Sequence, residues 1–257
     1  MTTGILAALH DEVADLIATM ACQDGYRVQR IGMRDYHIGI LESQPCVVAL
    51  ARIGKVAAAA TAVTMIRELG ATELIFTGLA GGVQEHVRVG DVVVGAYLVQ
   101  HDLDARPLFP RHEVPLLGRA LFAADPALTL ALSAAARFVL TEQLHHVLSA
   151  DIRRTFGITA PALHVGLIAS GDLFVSDIAQ VQRIVSALPD TLAVEMEGAA
   201  VAQICFEHDI PCAIVRTISD RADAVAHSDF GKFLTDVARH YASSILLRFL
   251  AGRVGCK

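Results

Sequence analysis

Short apolar runs recur along the chain at Gly4–Leu9, Cys46–Ala51, Glu73–Thr77, Asp91–Leu98, Leu163–Ser170, Leu192–Glu195 and Ala213–Ile218. Each is bounded by glycine or polar residues, the pattern of a core strand. Between several of them, Asp11–Met20, Gly54–Leu69, Ala127–Leu140, Asp177–Ala187, Gly198–Glu207 and Asp229–Leu250 carry apolar positions at helical spacing. This alternation predicts an α/β fold: a mixed, mostly parallel central sheet with helices on both faces. No repeat, low-complexity tract or linker-like shift interrupts it, so residues 1–257 read as a single domain. One stretch breaks the rhythm. His101–Gly118, HDLDARPLFPRHEVPLLG, carries three prolines where a short connection is usual, and predicts a functional or interfacial loop.

At 54% hydrophobic, 257 residues can bury a substantial core. Charged residues are 19% of the chain and the net charge is −6, so the basic footprint that nucleic-acid binding requires is missing. The N-terminal apolar stretch falls far short of the ~20 residues that span a bilayer and has no basic flank; it reads as the first strand, not an anchor or export signal. Five cysteines, odd in number and without CxxC, suggest neither a disulfide framework nor zinc and fit a reducing cytoplasm. The histidines are scattered, and His145–His146 has no carboxylate or thiol at ligand spacing, so no metal is expected.

Four segments put acidic or glycine residues at the ends of apolar strands, where α/β sheets form their ligand crevice. In Ala8-Leu9-His10-Asp11-Glu12 a strand yields to a helix, and Glu12 is either a reactive carboxylate or compensation for the helix dipole. Phe76-Thr77-Gly78-Leu79-Ala80-Gly81-Gly82 is a glycine-rich turn that lets backbone approach a ligand, without the pattern of a nucleotide-phosphate loop. Ser170-Gly171-Asp172-Leu173-Phe174-Val175 precedes Val194-Glu195-Met196-Glu197-Gly198-Ala199-Ala200, where two carboxylates flank a methionine between an apolar strand and an apolar helix. Buried carboxylates need partners, either sugar hydroxyls or backbone and Arg216. In Val215-Arg216-Thr217-Ile218-Ser219-Asp220, the aspartate closes an apolar strand beside a serine able to orient it, as a general acid or as a helix cap.

Taken in order, GILAALHDEV, ARIGKVAAA, FTGLAGG, SGDLFV, VEMEGAAVA and RTISDRAD resemble the 5′-methylthioadenosine/S-adenosylhomocysteine nucleosidases of the purine nucleoside phosphorylase superfamily, over Gly4 to Phe249. The resemblance implies a nucleoside phosphorylase-like fold and cleavage of an N-glycosidic bond without cofactor. It also implies roles: Glu12 activates water, Glu197 binds the ribose hydroxyls and Asp220 protonates the leaving adenine. Phe174 stacks on the purine, the Val175 backbone bonds to it, Met196 packs under the ribose and Ile53 lines the 5′ side. Glu195, Ser219 and Arg216 complete the expected substrate-binding set.

Phosphorolysis remains an alternative. The superfamily's phosphorylases carry an arginine and a serine where this chain has Phe76 and Leu79, an apolar pair unsuited to a dianion, but Arg52 and Arg216 remain candidate anion ligands. Leu79 also departs from the nucleosidases, which commonly have serine there. The proline-rich loop offers Leu108, Phe109, Pro110, Val114 and Pro115 as an apolar 5′-thioether pocket or as a dimer contact, and the resemblance implies a homodimer in which a neighbour's loop completes the site. A catalytically silent nucleoside-binding module is the third class; with both Glu12 and Asp220 present, it is the weakest.

Overall fold

The computed structural model describes residues 1–222 and 230–253. Asp223 of the RTISDRAD motif, Asp229 at the head of the expected last helix, and Cys256 lie outside them. Among the described residues ten strands form one sheet: β1 (Thr3–Ala7), β2 (Arg27–Ile31), β3 (Arg34–Leu41), β4 (Gln44–Leu50), β5 (Glu73–Gly82), β6 (Val92–Gln100), β7 (Leu121–Ala123), β8 (Leu163–Ser170), β9 (Thr191–Glu195) and β10 (Cys212–Asp220). The helices are α1 (Ala14–Ala21), α2 (Lys55–Arg67), α3 (Pro126–Phe138), α4 (Leu144–Val147), α5 (Ala150–Thr155), α6 (Ile178–Ala187), α7 (Gly198–Glu207), α8 (Phe230–Phe233) and α9 (Arg239–Ala251). Wider π-type turns at Val139–Gln143 and Leu234–Ala238 join α3 to α4 and α8 to α9.

The sheet is mixed, but not mostly parallel as the sequence pattern predicts. Strand pairs β1–β4, β1–β5, β5–β10, β6–β8 and β8–β9 are parallel. Pairs β2–β3, β3–β4, β5–β9, β6–β7 and β6–β10 are antiparallel. Because β10 bonds to both β5 and β6, and β9 to both β8 and β5, the strands β5, β10, β6, β8 and β9 close into a barrel. The β1–β4 strands extend from it as a flap. Antiparallel pairing escapes the sequence pattern because the β2–β3 hairpin is polar: β2 reads RVQRI and is largely exposed, as befits a charged edge strand.

The observed β5 is longer than Glu73–Thr77. Its glycine-rich half stays in the sheet instead of turning, with one edge passing from β1 at Glu73–Phe76 to β9 at Gly81–Gly82. Apolar layers cover both faces. One holds Leu16, Met20, Leu132, Val139 and Tyr241 under α1, α3 and α9; the other holds Ala58, Ala62, Met65, Val201 and Cys205 beneath α2 and α7. A smaller cluster of Val99, Ala169, Val175, Ile184 and Val194 lies under α6.

A buried ion pair ties the chain's far end to the sheet. Glu73, fully buried at the start of β5, accepts a 2.6 Å bond from Thr3 Oγ1 and is paired by the Arg253 guanidinium, whose Nη2 lies 3.0 Å from Oε2. Truncating one partner strands a charge without solvent. Arg253→Met is expected to lower stability by about 2–4 kcal/mol, somewhat less than the ~3–5 kcal/mol for breaking a fully buried pair because Arg253 is partly exposed. Urea denaturation checks this, and adding Glu73→Gln should recover much of the loss.

Candidate active site

A β-bulge re-aims the end of β10. Its register against β5 slips between Ile218 and Asp220, so Ser219 is the extra residue and Asp220 faces Gly81 across the strand pair. A side chain at Gly81 would meet Asp220 Oδ1 at 3.0 Å. At Gly78 it would meet Arg216 Nη1 at 3.0 Å and Glu12 Oε1 at 3.2 Å. The glycines of FTGLAGG therefore serve close approach within a strand rather than a turn. Asp220 Oδ2 accepts from Ser219 Oγ at 2.6 Å and Oδ1 from the Ala222 N–H at 2.7 Å. Asp220 is half-buried.

Glu12 closes a single 3₁₀ turn, His10–Glu12, and α1 starts only at Ala14, so the expected helix Asp11–Met20 begins later and Glu12 is not in its first turn. The N–H of Leu9 donates to its Oε2 at 2.8 Å and the N–H of Leu79 to its Oε1 at 3.1 Å. At position 79 it is thus the backbone that reaches Glu12. Burial pushes the Glu12 carboxyl up to about 7, against the lowering effects of the Leu9 N–H and of Arg216.

β9 delivers the second pair of carboxylates to the N-terminus of α7. Glu195 accepts from Ser170 Oγ, from the N–H of Glu197 at 3.2 Å, from the N–H of Gly198 at 2.8 Å and from Arg216, whose Nε is 3.2 Å away. Its bonding capacity is consumed within the protein, the structural reading left open by the sequence. Among the described residues the Glu197 carboxylate accepts one bond, from the Gly54 N–H at 2.8 Å. Its carboxyl is pushed up to about 7 by burial and by the neighbouring Glu195 charge.

One pocket gathers these groups: Leu9, Glu12, Ile53, Leu79, Phe174, Val175, Glu195, Met196, Glu197, Ser219 and Asp220 all line it. Arg216 does not. It is fully buried behind the pocket, stacked 4.1 Å over the Phe76 ring and bonded to Glu195, so it is no ligand in this geometry. Phe230, at the start of α8, lines the pocket with its ring centroid 6.4 Å from that of Phe174. Sequence reasoning missed Phe230, which reads as one more apolar position of the expected last helix. It also missed Ser170 and Gly54, whose partners are distant in sequence.

The proline-rich loop stands apart. Leu108, Phe109, Pro110, Val114 and Pro115 do not line this pocket. Val114 instead packs with Leu117 against the core and bridges to Arg119, while Leu108 is 83% exposed. The loop's base is tied to the site: Asp102 accepts from Lys55 Nζ at 2.7 Å and from the Asp172 N–H at 2.9 Å. Among the described residues no cluster of three or more His, Cys, Asp or Glu could hold a metal, and no helix is long and apolar enough to cross a membrane.

Comparison with known proteins places this geometry. A family model described as the phosphorylase superfamily matches residues 2–251. The chain is 32% identical over 250 residues to a 5′-methylthioadenosine/S-adenosylhomocysteine nucleosidase of Marinomonas sp. (strain MWYL1), covering 97% of this chain and 98% of that protein. It is also 32% identical over 232 residues to an aminodeoxyfutalosine nucleosidase of Helicobacter pylori (strain J99 / ATCC 700824), with 90% of each covered. The crystal structure of a Neisseria meningitidis 5′-methylthioadenosine/S-adenosylhomocysteine nucleosidase in complex with methylthio-immucillin-A superposes with a TM-score of 0.84 at 32% identity, over 98% of this chain and 99% of that one. The chain belongs to the phosphorylase superfamily. The near-full-length relatives named above are nucleosidases, and this chain is an enzyme of that kind, an N-ribosyl hydrolase.

The raised carboxyls carry a cost. An acid held near 7 when folded and near 4.5 when unfolded makes the native state bind more protons between those values, so stability falls as pH rises through that window. In Glu197→Gln the amide oxygen can keep the Gly54 bond without the charge. The variant is expected to exceed wild type in Tm by several degrees at pH 8 and to match it near pH 4.5, read by calorimetry. A constant difference across pH would contradict the burial argument.

Proposed function

We propose that the enzyme hydrolyses the N-glycosidic bond of 5′-thio-substituted adenosines such as 5′-methylthioadenosine and S-adenosylhomocysteine, releasing adenine and the thioribose. The observation that carries this reading is the pocket's charge. Two carboxyls held near 7, Glu12 and Glu197, face it, and none of its described lining residues is Lys or Arg. Such a site repels a phosphate dianion and suits a water that must lose a proton to a base.

Glycosidic cleavage develops positive charge on the ribose and negative charge on the purine. Asp220, oriented by Ser219, donates a proton to N7 of the departing base, while Phe174 stacks on the purine and the Val175 backbone bonds its edge. Glu197 keeps one oxygen on the Gly54 N–H and directs the other to the ribose hydroxyls, near the developing cation, with Met196 beneath the sugar. Glu12, fixed by two backbone N–H groups, takes the proton of the attacking water. Ile53 packs on the 5′ substituent. Glu195 and Arg216 act as positioning residues that hold the Glu197 turn. The reaction so written uses no metal or organic cofactor.

Residues 1–257 act as one catalytic domain, in the cytoplasm and as a homodimer. The exposed Leu108, with Phe109 and Pro110, completes the 5′ side of the neighbour's pocket. Equal identity to an aminodeoxyfutalosine nucleosidase makes another 5′-modified adenosine the second reading.

Turnover of methylthioadenosine with and without phosphate tests the proposal. Free 5-methylthioribose in both cases is expected; the 1-phosphate would make the enzyme a phosphorylase. Since protonated Glu12 cannot accept a proton, kcat/KM should fall as pH drops below about 7.

Asp220→Asn should reduce turnover of adenine nucleosides by ~10²–10⁴-fold, the usual loss of general-acid catalysis. A p-nitrophenyl riboside, whose leaving group departs unprotonated, should lose far less. Equal losses on both substrates would show that Asp220 only positions the base.

A further inference from the structure

A second concavity adjoins the pocket, sharing Ile53 with it. Its walls include Arg34, Arg52, Gly54, Val56 and Asp172. Arg52 precedes Ile53 with φ of 72°, a left-handed conformation that glycine adopts freely and that L side chains rarely do. The backbone there favours glycine, so the arginine's side chain is held at a conformational cost.

Among the described residues the two guanidiniums are anchored by backbone carbonyls alone. Arg52 Nη2 donates to the Met33 carbonyl. Arg34, at the start of β3, donates from Nε to Ala51 O at 3.4 Å and from Nη2 to Ala57 O at 3.3 Å, bracketing the Arg52–Gly54 turn. Among the described residues neither arginine has a carboxylate within ion-pair distance. The acid in the groove, Asp172, is already engaged: its Oδ1 accepts the Lys55 N–H at 2.8 Å and its Oδ2 lies 4.0 Å from Lys55 Nζ. Two cations with spare donors thus stand beside the residue that meets the 5′ substituent, and the donors suit a carboxylate.

We propose that the groove is a subsite for an anionic 5′ arm, in which Arg52 binds a carboxylate carried by the substrate's 5′ substituent and Arg34 positions the Arg52 turn. This rests on the nucleosidase reading above and adds a preference within it: the enzyme favours 5′ arms ending in a carboxylate over the same arms lacking one. Ile53 covers the thioether, and the arm's far end crosses it to reach Arg52. An ammonium on the same arm has Asp172 within the groove.

The test compares kcat/KM at low salt for S-adenosylhomocysteine, for 5′-(3-aminopropylthio)adenosine, which is the same arm with the carboxylate replaced by hydrogen, and for methylthioadenosine. Wild type should favour the acid over its decarboxylated counterpart by about two- to fivefold, as expected for one solvent-exposed ion pair. Arg52→Gly, which suits the backbone angle, should abolish that ratio while leaving methylthioadenosine turnover within twofold. An acid-to-amine ratio near one in wild type, or one unchanged in Arg52→Gly, overturns the subsite while methylthioadenosine turnover leaves the nucleosidase reading standing. Failure of wild type to cleave any of the three overturns both.

Discussion

The ion pair between Arg216 and Glu195 lies behind the pocket and acts on both of its raised carboxyls, Glu12 and Glu197. Arg216, from the middle of β10, stacks on Phe76 of β5 and bonds to Glu195 at the end of β9. Glu195 in turn gathers the first N–H groups of α7 and the hydroxyl of Ser170 from β8. Four strands and a helix terminus are thus pinned to one buried pair of charges. Desolvating such a pair makes it a poor source of net stability, so its worth lies in uniqueness of arrangement. It also sets the electrostatics above it: Arg216 draws Glu12 and Glu197 toward ionisation, while the Glu195 charge pushes Glu197 the other way. The two carboxyls end near 7.

Much of this was legible in the chain. Buried strands announce themselves as apolar runs because neither face meets water, and the seven expected strands all occur, six within two residues of their expected ends and β5 running five residues past its own. The carboxylates at strand ends pointed to the crevice because charge at the margin of an apolar run is costly without a reason. What could not be read was pairing over distance. Glu195 and Glu197 are two residues apart and look alike in sequence; only the fold shows that one is spent on Arg216 and Ser170 while the other keeps an oxygen for the pocket. Arg216, a candidate anion ligand on paper, lies on the far side of Glu195.

The glycines of FTGLAGG misled for a related reason. Glycine after a strand usually signals a turn, whereas here its lack of a side chain makes room for Asp220, Glu12 and Arg216 against a continuing strand. The polar hairpin β2–β3 and the short β7 escaped notice because their residues face solvent or another edge, and an apolar pattern cannot mark a strand that buries little.

That continuing strand has a wider consequence. Along one edge of β5, β1 is registered against Glu73–Phe76 and β9 against Gly81–Gly82, and Glu12 follows the first partner as Glu197 follows the second. Glu12 and Glu197, to which the proposed reaction gives the water and the sugar, are therefore spaced by a single extended backbone acting as a ruler, at about 3.3 Å per residue. Loops around the pocket can lengthen, shorten or change charge without altering that spacing, because the two carboxylates take their separation from the sheet and not from the connections.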